Sequence, residues 1–163
     1  MIKILKIGKV FETEIKDSIG EDIFYYRFRD TPASYAKDTE SIKYIVPNPC
    51  DMFLFKTPCL YFIELKNVSD KKIYSFNKTA LDQIERMRSL KEVPKFIKGF
   101  IITFREYEET YFLYLKDIVM FLETSGKKSI KKEECNALGL HIPQTKKRKY
   151  FFYDITPIIK ENE

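Results

Sequence analysis

The chain has no tryptophan and only one histidine, His141, and its three cysteines, Cys50, Cys59 and Cys135, form no CxxC pair. So few soft ligands at metal-binding spacing argue against a structural zinc site. An odd cysteine count argues against a disulfide framework. His141 reads as a surface or packing residue rather than a general base. Long apolar runs are also missing: no window approaches the ~18 uninterrupted apolar residues that a membrane helix needs. The opening Met1-Ile2-Lys3-Ile4-Leu5-Lys6-Ile7 interleaves basic and apolar residues and lacks the apolar stretch of a signal peptide. A cytoplasmic protein with no membrane partner is expected.

What is present fits one folded domain over residues 1–163, with no repeat, low-complexity tract or long linker. Hydrophobic residues make up 44% of the chain, enough for a core, and charged residues 33%, which implies a well-solvated surface. The net charge of +5 is a mild bias toward a polyanionic partner. Its distribution says more. Lys127, Lys128, Lys131 and Lys132 form one cluster, and Lys146, Lys147, Arg148 and Lys149 another. Each cluster taken alone reads equally well as a solvated loop. Most of the Tyr and Phe residues fall in alternating strand-like runs, which assigns them to the core rather than to base stacking.

Apolar residues at Ile7, Phe11, Ile15 and Ile19 recur every four positions and predict a helix over 7–19, stopped by Gly20. Residues 23–29 read as a strand by their aromatic content. Residues 30–49 are polar, contain Pro32, Pro47 and Pro49, and read as an irregular connection with a short ordered piece around 35–44. Strands are expected over 51–56 and 59–66, the second nearly continuous in apolar residues, as suits a central strand buried on both faces. A helix follows over 78–91, capped by Asn77 or Thr79. Strands over 99–104 and 110–115 form a hairpin, and a short helix covers 116–123. The aromatic tail at 150–153 should dock on the body. The order predicts an α/β fold with a mixed sheet flanked by helices.

The chemistry centres on Glu64-Leu65-Lys66, at the end of the apolar strand, and on Asp51, one strand earlier. Side chains alternate across a strand, so Glu64 and Lys66 share a face with Cα atoms roughly 7 Å apart. If Thr57-Pro58 is a two-residue turn, Lys56 pairs with Cys59, and counting outward sets Asp51 opposite Glu64. Pro58 is not a favoured residue for such a turn, and a slip of one position would send Asp51 to the other face. Two adjacent carboxylates repel unless a proton or cation lies between them. Magnesium takes one or two carboxylates plus water and phosphate oxygens, and a nearby lysine supplies compact positive charge to a phosphate. The plainer readings are a solvated Glu–Lys ion pair, and turn chemistry for Asp51 after Asn48-Pro49-Cys50.

Asp51 followed by Phe62-Ile63-Glu64-Leu65-Lys66 resembles the PD-(D/E)xK nuclease signature. Further features make the chain similar to the RecU-type Holliday junction resolvases of Gram-positive bacteria and their phages. They are Phe11-Glu12 in the first helix, Ser75-Phe76-Asn77 before Asp82-Gln83-Ile84, and Phe100-Ile101-Ile102 followed by Tyr111-Phe112-Leu113. Gly126-Lys127-Lys128-Ser129-Ile130 and Tyr153-Asp154-Ile155 complete the set. The similarity runs from about Gly8 to Ile155 and rests on order and spacing. It implies a restriction-endonuclease-like fold. It also implies metal ligation by Asp51, Glu64 and Gln83, transition-state stabilisation by Lys66, and a contribution from Glu12, which helical geometry does not separate from Glu14. Gln83 by itself is an ordinary polar helix residue. Two features depart from the family: Pro49 stands where a Thr often lies two residues before the Asp, and residues 30–49 form a shorter version of the stalk that enters the junction.

The expected function is a magnesium-dependent endonuclease, with manganese as a substitute, resolving branched DNA. A homodimer supplies two sites for paired cuts, and the two basic clusters bind phosphates. A nuclease of the same fold acting on duplex or flap DNA is the alternative. A non-catalytic DNA-binding protein, with the acidic and basic residues only an ion-pair cluster, is the second.

Overall fold

In chain order the elements are α1 (Ile2–Ser18), β1 (Phe24–Arg27), β2 (Met52–Lys56), β3 (Cys59–Val68), β4 (Ile73–Ser75), α2 (Lys78–Arg88), β5 (Phe96–Phe104), β6 (Glu109–Tyr114), α3 (Leu115–Ser125), β7 (Ser129–Lys131), α4 (Lys132–Leu138), β8 (Leu140–His141), β9 (Gln144–Lys147), β10 (Tyr150–Tyr153) and α5 (Thr156–Asn162). The computed structural model describes residues 2–29, 47–69 and 71–162. The connection expected to form a shortened stalk therefore lies, from 30 to 46, outside the described residues.

One six-stranded sheet has the order β1-β2-β3-β5-β6-β8. The β3–β5 pair is parallel and its neighbours are antiparallel, so the sheet is mixed. Its two faces hold separate cores. On one, Tyr61 and Ile63 of β3 meet Phe11 and Ile15 of α1 and Ile158 and Ile159 of α5. On the other, Phe100 and Ile102 of β5 meet Ala80, Ile84 and Met87 of α2 and Ile118 of α3. Each fully buried apolar side chain of this size stabilises the fold by about 1.5–3 kcal/mol, so each face is anchored several times over. At Gly99 in β5 an added Cβ would lie 2.4 Å from the Phe112 ring and 2.5 Å from the Leu113 carbonyl oxygen. A residue without a side chain is needed where β6 approaches so closely.

Several expectations need correction. The first helix begins at Ile2, and β5 begins at Phe96, ahead of Gly99. The basic clusters are solvated loop only in part: Lys127 and Lys128 lie in an exposed connection, and Arg148 and Lys149 in an exposed turn. Lys131 ends β7, which pairs with β4, and Lys132 opens α4. Lys146–Lys149 forms the end of β9 and the turn into β10, where Arg148 adopts φ 54°. The tail does dock, because Phe151 and Tyr153 are buried on the α1 side. The assignment of the aromatics to the core fails at the sheet's edge, where Phe24, Tyr26 and Phe55 are about half exposed. No helix among the described residues is long and apolar enough to cross a membrane.

Candidate active site

Hairpin pairing brings the acidic residues together. The β2–β3 ladder runs from Lys56↔Cys59 to Met52↔Ile63, and one step further sets Asp51 against Glu64. The turn is Thr57-Pro58, joined by a cis peptide bond, and the register is the one counted from the sequence. Asp51 Oδ2 accepts from the Leu65 backbone N–H at 2.7 Å, which fastens the side chain to β3.

Glu64 is wholly buried. Lys66 Nζ donates to Glu64 Oε1 at 2.7 Å and to Gln83 Oε1 at 2.8 Å. Gln83 Nε2 donates to the same Glu64 oxygen. Gln83 reaches the site because α2 turns Ala80, Ile84 and Met87 into the core, while Asn77 Oδ1 caps the helix by accepting from Ala80 N–H at 2.9 Å. Glu64 Oε2 has no donor among the described residues, although it is buried. An acceptor left this way costs about 1–3 kcal/mol unless something else satisfies it.

Electrostatics follow from that geometry. Burial pushes the Glu64 carboxyl up to about 7; the adjacent Asp51 carboxylate adds to the rise and Lys66 opposes it. Burial raises Asp51 too, against the pull of the Leu65 N–H and of Lys66. Both shifts favour a proton retained by the pair. A cation between them would take the proton's place. Among the described residues no three His, Cys, Asp or Glu side chains gather. An ion here would have two carboxylates and otherwise neutral oxygens, the donor set of magnesium rather than of structural zinc. The buried, donorless Oε2 shows that the residues present fit such an ion.

Packing gives the two acids of the first helix different surroundings. Glu14 is buried and bidentate to Arg105 at 2.7 Å for both bonds, and it also accepts from the Phe151 N–H at 3.0 Å. Its oxygens are committed to the fold. Glu12 instead pairs with Arg27 at 2.6 Å, and the charge of Arg27 acts on Asp51. Glu12 thus borders the acidic pair through Arg27.

Two neighbours escaped the sequence reading. Arg27 is cross-strand to Met52, one residue from Asp51, and the β1–β2 register would have revealed it. Tyr74 lies on β4, and its phenol is raised first by burial and then by the charges of Glu64 and Asp51. A three-residue strand gives no periodicity by which to place it.

The basic residues do not all remain available. Lys132 is turned inward to both oxygens of Glu109 at 2.7 Å, and Lys127 pairs with Glu134 at 2.7 Å. Lys146 pairs with Glu108 at 3.0 Å. Lys131 is exposed on the β4–β7 ribbon and Lys128 in the connection before it. Lys147, Arg148 and Lys149 are exposed at the tip of the β9–β10 ribbon, with no carboxylate paired to them among the described residues. His141 is exposed on β8 and packs on the Tyr111 ring.

A mixed sheet between helical layers, carrying an acidic pair and a lysine on adjacent strands, defines a nuclease of the restriction-endonuclease-like fold. The chain belongs to the RecU (Recombination protein U) family, whose family model matches residues 54–156. That family consists of Holliday junction resolvases, so the chain is an endonuclease. The chain is similar to the SPbeta prophage-derived uncharacterized protein YotM of Bacillus subtilis (strain 168). The two are 28% identical over 170 residues, covering 94% of this chain and 85% of the relative. In fold it is similar to Archaeoglobus fulgidus Hjc, a Holliday junction resolvase from an archaeal hyperthermophile. The TM-score is 0.52 at 13% identity, over 84% of this chain and 94% of that one.

Proposed function

We propose that the protein resolves four-way DNA junctions by magnesium-dependent, paired phosphodiester cuts, acting as a homodimer in the cytoplasm of the cell or phage host, with manganese able to replace magnesium. The observation that carries this reading is the buried Glu64 Oε2, without a donor, beside Asp51 and two residues from Lys66. Asp51 and Glu64 would hold the ion, with Gln83 as a further ligand. When bound, magnesium supplies positive charge at the scissile phosphate and acidifies the attacking water.

The chain's own residues do the rest. Lys66 donates to Glu64 and is held in place by Gln83. The Lys66 ammonium would offset charge that grows on the scissile phosphate in the transition state. The Leu65 N–H fixes Asp51 without consuming its second oxygen. Glu12 balances Arg27, so that Arg27 does not neutralise Asp51 completely. Lys128, Lys131, Lys147, Arg148 and Lys149 bind phosphates beyond the site, and Lys127, Lys132 and Lys146 join them to the extent that they leave Glu134, Glu109 and Glu108.

The test is cleavage of a synthetic four-way junction against a linear duplex of the same sequence, with magnesium and with a chelator. The proposal expects symmetric nicks in the junction only when magnesium is present. Equal cutting of the duplex overturns the junction preference, and cutting in chelator overturns the metal dependence.

A further inference from the structure

A groove of about 420 Å³ lies between α1 and β10, on the side of the sheet away from α2. Hydrogen bonds close its floor. β10 pairs only with β9, and α1 runs along its other edge. There Glu14 Oε1 accepts from the Phe151 N–H and Ser18 Oγ from the Tyr153 N–H, both at 3.0 Å. Phe151 and Tyr153 point into the core, so strand alternation turns Tyr150 and Phe152 outward. These two form one wall and are 60% and 40% exposed. Thr13 and Asp17, one helical turn apart on α1, form the other.

Each wall has one chemical character. Tyr150 has no ring contact, hydrogen bond or ion pair among the described residues, and Lys147 Nζ lies over the Phe152 ring at 5.0 Å. The α1 wall only accepts. Thr13 gives its hydroxyl proton to the Lys9 carbonyl at 2.9 Å, and Asp17 is an exposed carboxylate with no partner among the described residues. Both banks are basic. Lys9 and Lys16 share the α1 ridge with Thr13, and Lys147, Arg148 and Lys149 end the ribbon opposite. All of these cations are exposed, and none has an ion-pair partner among the described residues. Such unpaired cations suit a polyanion. A phosphate within the groove, however, would face the Asp17 carboxylate. An aromatic platform opposite hydrogen-bond acceptors fits the uncharged part of a nucleotide instead, a ring to stack and an amino group to donate.

We propose that this groove binds a single unstacked nucleobase of the DNA, stacked on Tyr150 and donating an exocyclic amino group to Asp17, while the cations of the two banks hold the phosphates on either side. Cytosine, adenine and guanine carry such an amino group. The exocyclic oxygens of thymine are both acceptors and would oppose Asp17. The inference rests on the DNA-cutting reading proposed above and adds a second point of contact, away from Asp51 and Glu64. Taking a base out of a continuous duplex costs unstacking and unpairing, and a base that is already unpaired is held more readily. A base held in this groove would therefore favour branched over linear DNA.

Fluorescence anisotropy with short labelled oligonucleotides, in chelator, tests the groove apart from cleavage. The wild type should bind oligodeoxycytidine about tenfold more tightly than oligothymidine of the same length. Asp17→Asn, whose amide donates as well as accepts, should erase that preference. Tyr150→Leu should weaken binding of both by at least about tenfold, through loss of the stacking ring. Both substitutions fall at exposed positions. As the chain has no tryptophan, Tyr150→Trp keeps a stacking ring and reports from the groove itself. Its emission should be quenched by oligodeoxycytidine along the same curve as the anisotropy. Equal binding of the two oligonucleotides by the wild type, or binding of neither, overturns the inference. So does an undiminished preference in Asp17→Asn, or a tryptophan emission that stays constant while the anisotropy saturates. A wild type that gives one of these results and still cuts the four-way junction keeps the cutting reading and loses the groove. A wild type with the predicted preference that cuts no junction keeps the groove and loses the cutting reading.

Discussion

Among the described residues two glutamates are buried, and their surroundings differ in one respect that separates architecture from chemistry. Glu14 has a bidentate arginine, a backbone N–H and the Tyr153 hydroxyl at 3.4 Å, so both its oxygens are used. It ties α1, the end of β5 and the β9–β10 ribbon together. Glu64 has Lys66 and Gln83 on one oxygen and, among the described residues, no donor on the other, and it stands against Asp51. A buried charge is tolerated when it is fully paired. One paired on a single side, with a like charge beside it, has room for something that the chain does not supply.

This difference predicts opposite consequences for the same substitution. Glu64→Gln should lower junction cutting by at least about a thousandfold, since the metal loses a charged ligand. The folded protein should be at least as stable as the wild type, because a like-charge contact is removed. Lys66→Ala should also abolish cutting while junction binding survives. A Glu64→Gln protein that cuts normally would erase the distinction. The measurements are single-turnover cleavage and thermal melting on the same sample.

Glu14→Ala should do the reverse. It strands Arg105 and should destabilise the fold by about 3 kcal/mol, lowering the melting temperature by roughly 10 °C. Cleavage per folded molecule should persist at low temperature. Equal melting temperatures for wild type and Glu14→Ala would show that the network contributes little.

A smaller effect should appear in the pH dependence. The Glu64 carboxyl is raised from its ordinary 4.5 to about 7, so between those values the folded state holds more protons than the unfolded state. The stability of the metal-free protein should therefore fall as pH rises through this window, because the unfolded chain is the one favoured by proton loss. Glu64→Gln should flatten that slope. Metal binding must displace the proton, so affinity should climb over the same range. Magnesium affinity that is constant from pH 6 to 8 in calorimetry would contradict the assignment.

The smallest predicted effect concerns the DNA surface and sharpens the contrast between paired and unpaired groups. Changing Lys146, Lys147, Arg148 and Lys149 together to alanine should reduce the logarithmic salt slope of junction binding by about three. Lys132→Ala should change that slope little and lower stability instead, because its ammonium is committed to Glu109. If the quadruple change leaves the slope intact, the DNA lies elsewhere.

How much of this was legible before the structure depends on the range of the signal. Asp51, Glu64 and Lys66 could be placed together because a strand alternates every second residue and a short turn fixes the count. That Gln83 joins them came only from resemblance, since nothing local distinguishes a helix glutamine that faces a site from one that faces water. Glu12 and Glu14 both flank the apolar stripe of α1, and only Arg105, far along the chain, separates them. The two basic clusters were visible as charge, but the strands under them are three and four residues long and carry no usable period. The exposed aromatics were misread because alternation shows which side chains share a face of a sheet and not whether a helix covers it.

The central claim is that Asp51 and Glu64 together hold the ion that cuts DNA. Its most direct test is magnesium-dependent cleavage of a four-way junction by Asp51→Asn, with binding to the same junction followed in parallel. The account predicts unchanged binding and no cutting at any magnesium concentration. Cutting at the wild-type rate by Asp51→Asn would contradict it.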